Sequence, residues 1–294
     1  MRVFVTGAAG FIGTATTREL IANGHEVLGL ARSDANAAAL EKSGAQVHRG
    51  SLEDLDSLRQ GAKETDGTIH LAFIHDFSRF AEVGQIDKRA IEAMGEAMIG
   101  SDKPFIVTSG TLLVAPGRLA TEKDPVMPGF PRVSEETGLA FAQRNVRAMS
   151  VRLPQVHGGG GACGLVNWLL DIARQKGVSG YVGDGDNRWS GAHRADVARL
   201  YRLALEKGLA GTSYHAVSEE GVKARDIAEI VGRHLNLPVT SIAPEDTPAH
   251  FGVMAPFVGR DGAASSALTR QWLGWKPTEI GMIADISRPG YFKV

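Results

Sequence analysis

The stretch "RVFVTGAAGFIG" at the start of the chain constrains the fold more than any other. A run of strand type, Arg2 to Ala8, meets glycines at positions 7, 10 and 13 and passes directly into the helical pattern "IGTATTRELIANG". A dinucleotide site needs that order. Gly7 permits the tight turn, Gly10 lets the backbone approach a pyrophosphate, and Gly13 lets helix and strand pack closely while the helix N terminus faces the anion. Thr6, Phe11 and Ile12 complete the loop and are expected beside the cofactor. Glycines alone mark ordinary turns; strand, loop and helix in this order mark a nucleotide site.

The pattern then repeats. "HEVLGLA", "AQVHRG", "GTIHLAF", "PFIVTSG" and "MSVRLPQV" read as further buried strands, the last spanning Met149 to Val156, with helical stretches between them. Strands alternating with helices imply a parallel, doubly wound α/β sheet of Rossmann type. Beyond Val156 the order weakens into a glycine run (Gly158 to Gly161), a helix around "LVNWLLDIARQ", the turn-rich "YVGDGDNRW" and the long amphipathic "HRADVARLYRLALEKG". The expected organisation is a Rossmann domain of residues 1–157 and 190–217, interlaced with a smaller substrate-binding subdomain of residues 158–189 and 218–294.

Composition excludes several functions. The 294 residues carry a net charge of -1 with scattered cations, which is no footprint for a nucleic-acid backbone. No apolar run has the length of a membrane span. With a strand starting at Arg2 no leader peptide is expected, and a single cysteine, Cys163, can form no internal disulfide; the expected location is the cytoplasm. Cys163 is expected to be a packed thiol. No histidine or cysteine spacing resembles a metal motif, and "GGGGACG" lacks the lysine and hydroxyl of a P-loop.

The choice between NAD and NADP is read at the end of the second strand, here "LARSDA". An acidic residue would take the ribose hydroxyls and repel a 2'-phosphate, whereas Arg32 offers a forked cation and Ser33 a hydroxyl. NADP(H) is favoured over NAD(H). The alternative has Asp34 turning in to hold the ribose.

With these features the chain resembles the extended short-chain dehydrogenase/reductases, in particular the atypical members of the NAD-dependent epimerase/dehydratase family. "TGAAGFIG", "HLAF", "FIVTSG", "VRLPQVHG", "GDGDNRWSGAHRADVA" and "LGWKPT" carry the likeness over nearly the whole length. The resemblance implies that Leu52 lines the adenine and that Leu71, Ala72 and Phe73 lie along the ribose and nicotinamide. It also implies a tyrosine that donates a proton and a lysine four residues later, and "FPRVSEETGLAF" has neither. Arg132 and Glu136 have the i, i+4 spacing instead, with Pro131 expected at the first helical position.

Arg132 cannot donate a proton efficiently near neutral pH but can stabilise an oxyanion, while the bland alternative is an ion pair with Glu136 on a helix surface. Ser109 and then Thr111 are the hydroxyl candidates. His75, following a strand end, is the first alternative acid, with His157 and His193 also near the expected cleft. The four tryptophans are expected to pack, with Trp189 a candidate to border the substrate. The expected activity is NADP(H)-dependent hydride transfer to or from a small or medium-sized carbonyl-type molecule. An epimerase or dehydratase retaining its cofactor and a non-catalytic NADP(H) sensor remain the alternatives, and homodimerisation stays open.

Overall fold

The computed structural model describes residues 1–159 and 164–292. Cys163 and the end of the glycine run lie outside the described residues. The chain opens with β1 (Arg2–Thr6), α1 (Phe11–Ala22), β2 (Glu26–Ala31), α2 (Asp34–Lys42), β3 (Gln46–Arg49), α3 (Leu55–Lys63), β4 (Gly67–His70), α4 (Phe80–Ala97), β5 (Pro104–Gly110), α5 (Ser134–Leu139) and β6 (Arg147–Leu153). Then come β7 (Gln155–His157), α6 (Leu165–Lys176), β8 (Ser179–Val182), β9 (Arg188–His193), α7 (Arg194–Lys207), β10 (Thr212–His215), β11 (Glu219–Lys223), α8 (Ala224–Leu235) and β12 (Val239–Ile242).

Seven strands form one parallel sheet in the order β10-β6-β5-β4-β1-β2-β3. Alternation along β1 explains why both faces are covered. Val3 and Val5 pack with Leu20 of α1 and with Val197, Leu200 and Tyr201 of α7. Phe4 points the other way, to Leu58 of α3 and Ile91 and Met94 of α4. Each such side chain contributes roughly 1.5–3 kcal/mol by leaving water, and a strand buried on both faces must be apolar throughout. The strand order reverses between β4 and β1, which opens a crevice at their carboxyl ends, where sheets of this kind bind ligands.

A second, smaller core joins Leu169 and Leu170 of α6 to Ile227 and Val231 of α8, beneath a three-stranded sheet of order β11-β9-β7 and a β12–β8 pair. Two expected strands end three residues before their apolar runs do. The fourth stops at His70, releasing Leu71 to Phe73 as a loop at the crevice. The run from Met149 to Val156 breaks at Pro154, which has no N–H to continue the ladder, and its remainder joins the small sheet as β7. Trp189, a candidate substrate neighbour, is instead core: it is 1% exposed and its indole N–H donates to the Arg260 carbonyl.

Candidate active site

At the nucleotide end the backbone itself makes the cradle. Gly7 adopts φ +69°, and a Cβ there would lie 2.8 Å from the Ala72 nitrogen. At Gly13 a Cβ would lie 1.9 Å from the Gly7 carbonyl oxygen, so no larger residue fits between loop and helix. Gly10 precedes α1 in extended conformation, and no side chain caps the first turn, which leaves the N–H groups around Phe11, Ile12 and Gly13 facing the crevice. These residues fit a dinucleotide pyrophosphate. Ile12 backs onto the main core, and the Phe11 ring carries the Arg194 guanidinium at 5.1 Å.

Thr6 serves the loop from below. Its hydroxyl receives the Ala72 N–H at 3.2 Å and bonds to His70 Nδ1 at 2.7 Å, tying β1 to the β4 loop. Arg32 is exposed directly after β2. Ser33 caps α2 by accepting the Asn36 N–H, and Asp34 turns to Arg49, whose guanidinium donates to it at 2.7 Å. Leu52 is half-buried against the core on the α3 side.

The reaction end is built of side chains. Arg132 donates from Nε to the Ser134 hydroxyl at 2.9 Å and from Nη2 to the Thr108 carbonyl at 2.8 Å. Its guanidinium lies 4.2 Å from the centre of the Phe73 ring. Ser134 in turn donates to one oxygen of the buried Asp87, and His70 Nε2 donates to the other at 3.0 Å. Thr6, His70, Asp87, Ser134 and Arg132 therefore form one continuous chain from the glycine loop to the guanidinium.

Asp87 is the anion in that chain. Burial alone would raise its pKa, but the hydrogen bond and charge interaction with His70, the charge of Arg132 and the Ser134 hydroxyl outweigh burial and hold the carboxyl below its ordinary range. For Arg132 burial acts against the charge and Asp87 acts for it. An arginine stays protonated at neutral pH under such opposing influences.

The expected pairing of Arg132 with Glu136 is not what the structure holds. α5 begins at Ser134, so Arg132 precedes the helix and shares no helical face with Glu136. The cause is close packing: a Cβ on Gly84 of α4 would lie 2.5 Å from the Pro131 carbonyl oxygen, which pins this segment outside the helix against α4. Pro131 is accordingly not the first helical residue. Glu136 is exposed, yet with Arg132 and Ser109 it borders a small cavity of about 20 Å³.

Ser109 is buried, at 3% exposure, and its hydroxyl makes no hydrogen bond to a described residue. Thr111 differs, because its hydroxyl is engaged with the Leu153 carbonyl and the Ser190 hydroxyl. His75 stands beside the Phe73 ring at 5.6 Å between centroids, with much of its side chain open. Desolvation first, and then the Arg132 charge, nevertheless hold its pKa below the ordinary histidine value. His157 and His193 are elsewhere: His157 is buried against Asp285 at 2.8 Å, and His193 caps α7.

Three further residues escaped the sequence reading. Asp87 and Ser134 hold Arg132 but stand 47 positions apart, a separation no local pattern signals. Tyr201 is fully buried, and its hydroxyl bonds to that of Thr108 at 2.8 Å, while Thr108 donates onward to the His70 carbonyl. Burial pushes its phenol above the usual tyrosine range, so it packs beneath the site without presenting an acid to it.

Residues 3–109 match the NAD dependent epimerase/dehydratase family. An uncharacterized protein of Schizosaccharomyces pombe is 47% identical over 99% of this chain and 100% of its own length. The chain belongs to the NAD-dependent epimerase/dehydratase family. Within it, the sterol-4-alpha-carboxylate 3-dehydrogenase (decarboxylating) of Dictyostelium discoideum is 28% identical over 76% of this chain and 73% of its own. The dTDP-glucose 4,6-dehydratase DesIV of Streptomyces venezuelae, solved with NAD and TYD bound, has the same fold, with a TM-score of 0.75 at 20% identity over 95% of this chain and 93% of its own. Members of the family are NAD(P)-dependent oxidoreductases and epimerases, built like this chain on a large parallel sheet. No helix among the described residues is long and apolar enough to cross a membrane.

Proposed function

We propose that this protein is an NADP(H)-dependent oxidoreductase that moves a hydride to or from a carbonyl carbon, with Arg132 in place of the tyrosine-lysine device. The observation that carries the reading is the chain from the glycine loop to Arg132. A guanidinium anchored by Asp87 through Ser134, and laid against the nicotinamide-side residue Phe73, is a fixed positive charge at the reaction end of the crevice. The family's cofactor supplies or accepts the hydride when bound.

Gly7, Gly10 and Gly13 would hold the pyrophosphate, Leu52 the adenine, and Leu71, Ala72 and Phe73 the ribose and nicotinamide. Arg32 and Ser33 support the phosphorylated cofactor; Asp34, the alternative, makes an exposed ion pair with Arg49 that is too weak by itself to hold it from the ribose. Arg132 stabilises the oxygen as it gains negative charge, a term that grows only in the transition state and needs no rearrangement of the protein. The Ser109 hydroxyl adds a hydrogen bond from the same cavity. His75, with its lowered pKa, is neutral at pH 7 and positions the water that delivers the proton; Glu136 and Thr111 have no required part.

The test is NADPH oxidation, with NADH in parallel, across aldehydes, ketones, diketones, enones and imines. Arg132→Ala is expected to lower kcat about 100-fold with KM for NADPH nearly unchanged. Turnover by the Arg132→Ala, Glu136→Gln double variant equal to that of the unaltered protein would remove Arg132 from the mechanism. Protonated His75 is a stronger acid than water, so the reduction rate rises as pH falls through its lowered pKa, and His75→Asn flattens that profile.

A further inference from the structure

Beyond Phe73 the site is walled by aromatic rings from separate stretches of chain. Phe77 and Phe80 stack at 5.7 Å with their planes 11° apart. Phe257 of the smaller lobe stands edge-on to Phe77 at 5.7 Å and to Phe80 at 6.1 Å. Phe130, just before Arg132, meets Phe80 at 5.4 Å, and Trp168 of α6 meets Phe77 at the same separation. The rings of the sheet core, such as Phe4 and Phe105, are fully buried. These rings are different: each keeps part of its surface in contact with solvent.

We propose that this wall binds the body of the substrate, and that the substrate is a carbonyl compound carrying an aromatic ring; the inference rests on the reading of the protein as a carbonyl oxidoreductase. Two physical arguments support it. The wall presents ring faces and edges at once, the arrangement in which a further flat ring finds both offset-stacked and edge-on partners. A polyol placed against the same rings would leave hydroxyl groups without acceptors, which is costly once water is excluded. The position of Arg132 then fixes the shape of the molecule. Its guanidinium lies on Phe73, which meets Phe80 at 6.1 Å, so the polarised carbonyl adjoins the wall directly. The ring is therefore attached to the carbonyl carbon or separated from it by a short spacer.

The experiment compares matched pairs of aldehydes and ketones that differ only in a phenyl or cyclohexyl group, using NADPH and the full chain. We expect kcat/KM about tenfold higher for the phenyl member, mostly through KM, with that ratio collapsing toward one in Phe77→Leu and Phe257→Leu. Equal kcat/KM within each pair overturns the inference and leaves the carbonyl oxidoreductase reading intact. Absence of turnover with every carbonyl counts against that reading instead, and binding then decides the inference. Benzyl alcohol and cyclohexylmethanol are titrated against Trp168 fluorescence with NADPH present, using Trp168→Phe to isolate its signal. Tighter saturable binding of the aryl alcohol, weakened in Phe257→Leu, upholds the aromatic wall; equal or absent binding overturns it.

Discussion

The two ends of the crevice are made of different material. At the nucleotide end the shape comes from backbone: Gly7 is left-handed beneath Ala72, and Gly13 admits the Gly7 carbonyl where any side chain would collide. At the other end it comes from side chains contributed by β1, β4, α4, the first residue of α5 and the segment before it, linked into one hydrogen-bonded chain that ends on Arg132. A backbone cradle fails when something is added to it. A side-chain network fails when one member is removed.

That contrast can be broken most forcefully at Asp87. Asp87→Ala leaves Arg132 without its buried counter-charge and orphans His70 and Ser134, so thermal or denaturant unfolding should show a loss of about 3–5 kcal/mol. Folded protein should still bind NADPH with near-normal affinity; an equal collapse of affinity would mean that the two ends are one unit. A pH titration sharpens the same point. The pKa values of Asp87 and of Glu135, a buried carboxylate that accepts two hydrogen bonds from the Arg152 guanidinium, are held below the ordinary carboxylate range, so their stabilisation is present above about pH 4 and is lost as pH falls through the lowered folded values. In Asp87→Asn the slope of stability against pH over that acid range should be smaller.

At the glycine end the expected effect is the next in size. Gly13→Ala should cost about 1–3 kcal/mol through overpacking and abolish measurable NADPH binding, read by melting temperature and cofactor titration. Unaltered binding would show that the loop is softer than its packing implies. The smallest effect belongs to the adenosine rim, where Arg32→Ala should weaken NADPH about tenfold and leave NADH unchanged. A variant that lost both cofactors equally would remove Arg32 from the choice between them.

The same contrast explains what the sequence made legible. Strand, glycine loop and helix are contiguous, so Gly7, Gly10 and Gly13 declared the fold and the tight turn between β1 and α1. Arg132 was visible as a departure from a spacing, but its partners were not, because Asp87 lies on a helix reached through a different strand and nothing in "VGQIDKRA" distinguishes it from a surface aspartate. The reading of Arg132 and Glu136 as helical neighbours failed for a related reason. Helix onset at Ser134 is governed by how closely Gly84 of α4 approaches Pro131, a tertiary contact, whereas the i, i+4 rule presumes that both residues are already helical. Pro154 was in plain view within an apolar run; the period of the run hid the break that its missing N–H makes.

That break has a mechanical consequence. Three of the passages between the large sheet with its helices and the small sheet are short: Pro154 alone separates β6 from β7, β9 runs directly into α7, and residues 216–218 join β10 to β11. An extended residue spans at most about 3.6 Å, so none of these tethers can pay out slack. The lobes are held like a book bound along its spine, and the contact of Phe80 on one cover with Phe257 on the other, 6.1 Å between ring centres, is where the two covers meet.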